Sequence, residues 1–252
     1  MEYYAKALAI LEKLFGLENP HVASSYNNIG VVYHDQGNYA KAMENYTKAL
    51  IIQEKVFGSD HPDVAMSYNN IGTVYDNQGD YAKALEYYTK SLAIDEKVFG
   101  TEHPNVAMSY NNIGNVYSYQ GDYAKALGYY IKAQSIMEIV FGTDHPNVAT
   151  SYISIGYIYS NQGDYTKAIE YHTKALGIRE KVFGLEHPHV ATSYNNIGVA
   201  YYRQGNYAKA LEYLTKALII YEKVLGTEHP TTQNTKENID YIKRKITESE
   251  KK

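Results

Sequence analysis

The 252-residue chain has no cysteine and no tryptophan. Without thiols it forms no disulfide and carries no thiolate nucleophile, a usage that suits a reducing, cytoplasmic location. Its charge is nearly balanced, 24 basic against 28 acidic residues for a net −4. That balance gives no basic field of the kind nucleic acid needs. No apolar run approaches the ~18 residues of a membrane span, and no apolar segment after Met1 resembles a signal peptide. Neither membrane insertion nor nucleic-acid binding is expected. Proline and phenylalanine are scarce, at 6 and 5 residues, and where they stand is informative.

Pro20, Pro62, Pro104, Pro146, Pro188 and Pro230 lie 42 residues apart, and Phe15, Phe57, Phe99, Phe141 and Phe183 keep the same period. The stretch His61–Glu102 recurs in register as His103–Asp144, His145–Glu186 and His187–Glu228, with one copy earlier at Asn19–Asp60. A period of roughly 20–50 residues marks a solenoid or array in which each unit packs on its neighbours. The expected organisation is one array. Residues 1–18 form a truncated second-helix half repeat, because Tyr3-Tyr4-Ala5-Lys6-Ala7-Leu8 matches Tyr87-Tyr88-Thr89-Lys90-Ser91-Leu92. Five full repeats follow at 19–60, 61–102, 103–144, 145–186 and 187–228, and residues 229–252 form a C-terminal capping helix. Met1 falls inside a repeat, which reads as a cut N-terminal end. Asp240 and Lys236 stand where Gly198 and Tyr194 stand one repeat earlier, which reads as a true polar cap.

Each unit reads as two helices. His61-Pro62 opens the first, with His61 as cap and proline at the first helical position. Val64, Tyr68, Ile71 and Tyr75 supply its apolar stripe. Gly79 ends it in a left-handed turn, and Asp80 caps the second helix. The second stripe is Tyr81, Ala84, Leu85, Tyr88 and Leu92, with Glu86 and Lys90 paired on the wet side. A glycine inside a helix costs ~1 kcal/mol against alanine. Gly72 and its equivalents are therefore expected where the paired helix comes close, facing small residues of the Ala84 type.

Tyr68-x2-Ile71-Gly72-x2-Tyr75 followed by Ala84-x3-Tyr88 resembles the tetratricopeptide pattern, with tyrosine in place of tryptophan and phenylalanine. The lengthened second helix, the EKVFGxxHPxVA junction and the NNIG core are similar to the 42-residue variety of kinesin light chains and nephrocystin. The resemblance covers nearly the whole chain. It implies an all-α, right-handed α-solenoid of antiparallel helix pairs, and a protein or peptide partner in the concave groove lined by the first helices.

At ~100° per residue, Met66, Asn70, Thr73 and Asn77 fall opposite the packed stripe, flanked by Asn69 and Asp76. By the family's geometry this free side is the inner wall. Its amides form a ladder, Asn27-Asn28, Asn69-Asn70, Asn111-Asn112 and Asn195-Asn196. Carboxamides donate and accept together, so they suit either an extended peptide backbone or lateral ties between neighbouring first helices. Of 29 tyrosines, all but Tyr119, Tyr157, Tyr202, Tyr221 and Tyr241 keep to repeating positions and read as core. Tyr119, Tyr157 and Tyr202 align with Asn77, Thr73 and Asp76, and Ile153-Ser154 replaces one asparagine pair. Together with Arg203, nearly the sole inner-wall cation, these residues form the candidate peptide site.

Catalytic chemistry is otherwise lacking. His61, His103, His145, His187 and His229 are each a repeat apart, too far to share a metal, and read as caps. His34 and Asp35 have no nucleophile motif beside them, and no glycine-rich loop leaves a strand. The expected function is a non-enzymatic interaction module without cofactor. Two alternatives are a sensor or regulatory arm of a larger protein, and a spacer that self-associates end to end through its N-terminal face.

Overall fold

A computed structural model describes residues 2–250. Among the described residues there are twelve helices and no strand. They are α1 (Glu2–Phe15), α2 (Pro20–Asp35), α3 (Tyr39–Phe57), α4 (Pro62–Asn77), α5 (Tyr81–Phe99), α6 (Pro104–Tyr119), α7 (Tyr123–Phe141), α8 (Pro146–Asn161), α9 (Tyr165–Phe183), α10 (Pro188–Arg203), α11 (Tyr207–Leu225) and α12 (Pro230–Glu250). The helices pair as first and second members of a repeat, in the all-α solenoid manner. They gather into two compact units, residues 1–129 and 130–252, which divide within α7.

Local chemistry sets each boundary. His61 Nδ1 accepts the Asp63 amide at 3.2 Å, so an imidazole caps α4. The same 3.2 Å bond recurs at His103, His145, His187 and His229. The preceding phenylalanine stacks on the capping ring, Phe57 on His61 at 4.2 Å between centroids. Asp80 Oδ1 accepts from the Lys83 amide and starts α5. Between them Gly79 turns the chain at φ +76°, a left-handed conformation that costs glycine nothing.

In the first unit, the second helix of one repeat and the first helix of the next build the core. Ala42 and Tyr46 of α3 meet Ile71 and Val74 of α4, and Ala84 and Tyr88 of α5 meet Ile113 and Val116 of α6. In the second, Leu176 of α9 joins Val190, Ala191 and Ile197 of α10, and α12 lays Ile239 and Ile242 on Ala210 and Leu214 of α11. Fully burying one such aliphatic side chain contributes ~1.5–3 kcal/mol. Exposed inter-repeat ion pairs such as Lys97–Asp60, at 2.5 Å, contribute ~0–1 kcal/mol each. The apolar rows dominate.

One expectation is corrected. A β-carbon on Gly72 would meet the Tyr88 ring, 2.8 Å from Cδ1, and not a small residue of the Ala84 type. The glycine is needed because the Tyr88 ring packs against the first helix at this point.

Half-buried phenols complete the junctions. Tyr68 donates to Glu54 at 2.7 Å, Tyr110 to Glu96 at 2.8 Å, and Tyr194 to Glu180 at 2.5 Å. Burial, and then the carboxylate beside each, push these three phenols up to about 12.

Candidate functional site

In the first unit the free side of the first helices belongs to α2, α4 and α6. Asn70 donates to Asn27 at 3.0 Å, and Asn112 donates to Asn69 at 2.7 Å. The second amide of each pair thus binds the first amide of the preceding repeat, and Asn27 is buried by the contact. Asn77 and His34 extend the lateral ties at 2.7 Å. Asn28 stays exposed, while Asn111 is half-buried with its Oδ1 enclosed and unpartnered. Met66 and Met108 are exposed on the same helices. Tyr119 is 65% exposed and stacks on Tyr81, with centroids 6.1 Å apart. Asp76 flanks this face with its Oδ1 buried and unpartnered, and burial raises its pKa.

In the second unit the free side belongs to α8, α10 and α12. Tyr157 is 55% exposed on α8, and Ile153, one turn before it, is half-buried. Asn195 and Asn196 of α10 are half-buried and make no amide–amide bond among the described residues. Ile153 has replaced the asparagine that would otherwise accept. Arg203 reaches from α10 to Ser160 of α8, Nη1 to Oγ 3.3 Å, and makes no ion pair among the described residues. Tyr202 lies 5.8 Å from Tyr207 and meets Tyr241 edge-on at 6.1 Å. The Tyr241 hydroxyl, more than burial, raises the pKa of the Tyr202 phenol.

Beside these rings is a cavity of about 220 Å³ lined by Val199, Tyr202, Arg203, Leu214, Asn238, Tyr241 and Ile242. Three of its residues, Asn238, Tyr241 and Ile242, lie on α12, which reads from sequence only as a polar cap. A signal for Asn238 exists in the period, since it stands 42 residues after Asn196. Tyr221, the remaining off-lattice tyrosine, is buried away from this face and donates to Thr192 Oγ1 at 3.1 Å.

Among the described residues no three histidine, cysteine, aspartate or glutamate side chains gather to hold a metal ion. No helix there is long and apolar enough to cross a membrane. The arrangement offers amides, phenols and one guanidinium on a helical wall, which is equipment for recognition.

Comparison with known proteins gives the context. No curated protein matches the chain. Among solved structures it is similar to BtubC (BKLC) from P. vanneervenii, at 24% identity over 91% of each chain with a TM-score of 0.77. It is also similar to a protein of Podosopora anserina described as a putative kinesin light chain with nearly identical TPR-like repeats. That match has 24% identity and a TM-score of 0.70, covering 81% of this chain and 97% of the other. A signal transduction ATPase with numerous domains (STAND) from Pyrococcus horikoshii, which bears a tetratricopeptide repeat sensor, aligns at 19% identity with a TM-score of 0.75. It takes in 94% of this chain and 35% of its own. The family model described as tetratricopeptide repeat matches residues 2–52, 21–97, 77–138, 105–181, 147–223 and 189–239. With its helix pairs, its interlocked junctions and these overlapping matches along nearly its whole length, the chain belongs to the tetratricopeptide repeat family.

Proposed function

We infer that this chain serves, as repeats of its family generally do, as a non-enzymatic scaffold for protein interaction. We propose that this chain binds an extended peptide segment of a partner protein on the free side of its first helices, with an apolar anchor on α8. The observation carrying the reading is Tyr157, an exposed aromatic with Ile153 one turn away, where the other repeats place threonine, asparagine or valine. Aromatic side chains at the centre of a contact typically carry ~2 kcal/mol or more of binding when truncated. Asn195 and Asn196 add amides with no protein partner for the peptide backbone. In the first unit Asn27, Asn69, Asn70 and Asn112 already bond to one another, yet each carboxamide retains further donor or acceptor capacity. They are proposed as secondary contacts beside Asn28, Asn111 and Tyr119.

The test is to select peptides from a displayed random library on the intact protein and to measure their affinities by titration. Tyr157→Ala is expected to weaken them roughly tenfold or more while leaving the melting temperature unchanged. Asn111→Ala, with its Oδ1 enclosed, is expected to cost at most about 1 kcal/mol of affinity. Selected peptides indifferent to Tyr157→Ala would place the site on another face. A second reading, a sensor arm within a larger protein, is supported by the likeness to the repeat sensor of the P. horikoshii ATPase. A nucleotide-binding domain encoded in the same gene would favour it.

A further inference from the structure

The wet side of α7 departs from the pattern that the other second helices keep. Glu86 pairs with Lys90 along α5, and the pair recurs as Glu44–Lys48, Glu170–Lys174 and Glu212–Lys216. Lys97, near the end of α5, reaches Asp60 in the loop before the repeat, and Lys55, Lys181 and Lys223 do the same. On α7, Gly128 replaces that glutamate, Ile131 replaces Thr89 and Ile139 replaces Lys97. Glu102 thereby loses the lysine that its equivalents hold. Ile131 is 44% exposed and Ile139 59%. With Ser135 between them they stand four residues apart, so the three form one exposed ridge. Packing within the chain does not account for the exchange. A β-carbon on Gly128 would meet nothing within 4 Å, although glycine weakens a helix relative to alanine. Opposite charges flank the ridge, since ~100° per residue puts Lys132 on one side and Glu138 on the other. Lys132 is exposed and Glu138 half-buried. Gln134 and the Tyr152 hydroxyl both donate to Glu138 Oε1, at 2.9 and 2.6 Å, which leaves Oε2 for a further donor.

We infer that this ridge binds a second copy of the chain, α7 against α7 in parallel, to form a closed dimer. Charge selects both the partner and the direction. In a parallel pair each flank faces the opposite flank of the other helix, as in a two-stranded coiled coil. Lys132 of each copy then meets Glu138 of the other. Ile131, Ser135 and Ile139 each meet their own counterpart across the axis. An antiparallel pair would instead set Lys132 beside Lys132 and Glu138 beside Glu138, and such like charges oppose association. The contact is isologous, so it closes at two copies and does not grow into a filament. It uses neither the free side of the first helices nor Tyr157. The peptide reading therefore stands or falls separately.

The experiment is sedimentation equilibrium of the whole protein up to about 500 µM. The mass should rise from one chain to two and no further. A dissociation constant on the order of 10–100 µM is expected, the strength of a small transient contact. Ile131→Thr combined with Ile139→Lys restores the residues of the other repeats and returns a lysine to Glu102. That variant should dimerise roughly tenfold or more weakly with no loss of melting temperature. Lys132→Glu, which faces Glu138 of the second copy with a like charge, should weaken the dimer by roughly tenfold. Because the chain has no cysteine, a single introduced thiol reports the register. Ser135→Cys and Ile139→Cys should each yield a covalent dimer on mild oxidation, their counterparts lying within disulfide reach. Ile219→Cys, in the place of Ser135 on α11, should not. Tyr157→Ala should leave dimerisation unchanged. A chain that stays monomeric throughout would leave the ridge to a different protein and overturn the inference. So would a dimer indifferent to the paired isoleucine exchange or to Lys132→Glu, which would be made elsewhere. Cross-linking of Ser135→Cys without Ile139→Cys would make the pair antiparallel and overturn the stated arrangement.

Discussion

A β-carbon at Gly72 would stand 2.8 Å from Cδ1 of Tyr88, whereas one at Gly177 would meet nothing within 4 Å. Both glycines are inside helices, so the same substitution should act in opposite directions. At Gly72 the overpacking cost of ~1–3 kcal/mol outweighs the ~1 kcal/mol that alanine returns in helix propensity. Gly72→Ala is expected to destabilise, and Gly177→Ala to stabilise by roughly 0.5–1 kcal/mol. Denaturant midpoints of the two variants check the signs. His172 is a second instance of one position meeting different surroundings. It occupies the tyrosine slot, is buried, and has an Nδ1 without a partner. Burial, with Arg179 adding to it, pulls its pKa from 6.5 down to about 4. The folded state therefore binds fewer protons than the unfolded state between those values. The corresponding stability is complete above about pH 6.5 and is lost as pH falls toward 4, by up to roughly 3 kcal/mol. His172→Leu, the residue type found at Leu214, should flatten the melting temperature across that window. An unchanged acid slope in the variant would refute the assignment.

Among the elements, the first helices are fixed by chemistry that the sequence displays openly. The His–Pro start, the left-handed glycine and the Asn or Asp caps recur at fixed offsets, so the helix limits follow from the residues alone. His103→Ala should remove both the Asn105 amide bond and the stack on Phe99, 4.3 Å away. The expected loss is about 1 kcal/mol, the usual worth of an N-cap, measured by denaturation. Partners across elements are less legible. Helical spacing says which residues share a face, but not which residue of the next helix lies opposite. For that reason the spacing points Gly72 at Ala84, whereas the packed helices set it on Tyr88. The asparagine pairs leave two roles open on the same ground, and the lateral bonds of Asn27 and Asn69 emerge only from the distance between adjacent first helices. Variable positions are hidden by the period itself. Gln53, Asp95, Met137, Arg179 and Tyr221 share one place in the second helix, yet their bonds differ. Gln53 accepts from Ser67 at 2.6 Å, while Arg179 donates to the His189 carbonyl at 2.9 Å and to Ser193 at 3.1 Å. Asp95 is buried, and burial raises its pKa. Each junction is completed by its own side chain.

For the molecule as a whole, stability in a repeat array is a sum over units and their nearest-neighbour contacts. Local protection should therefore follow local burial. Tyr3 is 86% exposed and Tyr4 44%, whereas Tyr88, the equivalent of Tyr4, is 2% exposed. Amides of α1 should exchange with solvent well ahead of those of α4, whose Val64, Ile71 and Val74 are fully enclosed. Equal protection of the two helices in dilute protein would contradict this picture. The phenol–carboxylate bonds have another consequence. With no tryptophan in the chain, ultraviolet emission comes from tyrosine alone. A phenol that donates to a carboxylate passes its proton along that bond on excitation and is dimmed. Tyr26, Tyr68, Tyr110, Tyr152 and Tyr194 each carry such a carboxylate, one at the start of each full repeat, whereas Lys236 takes that place on α12. As a junction opens its phenol should brighten, so the native chain carries a built-in fluorescent reporter of the separation of its own repeats.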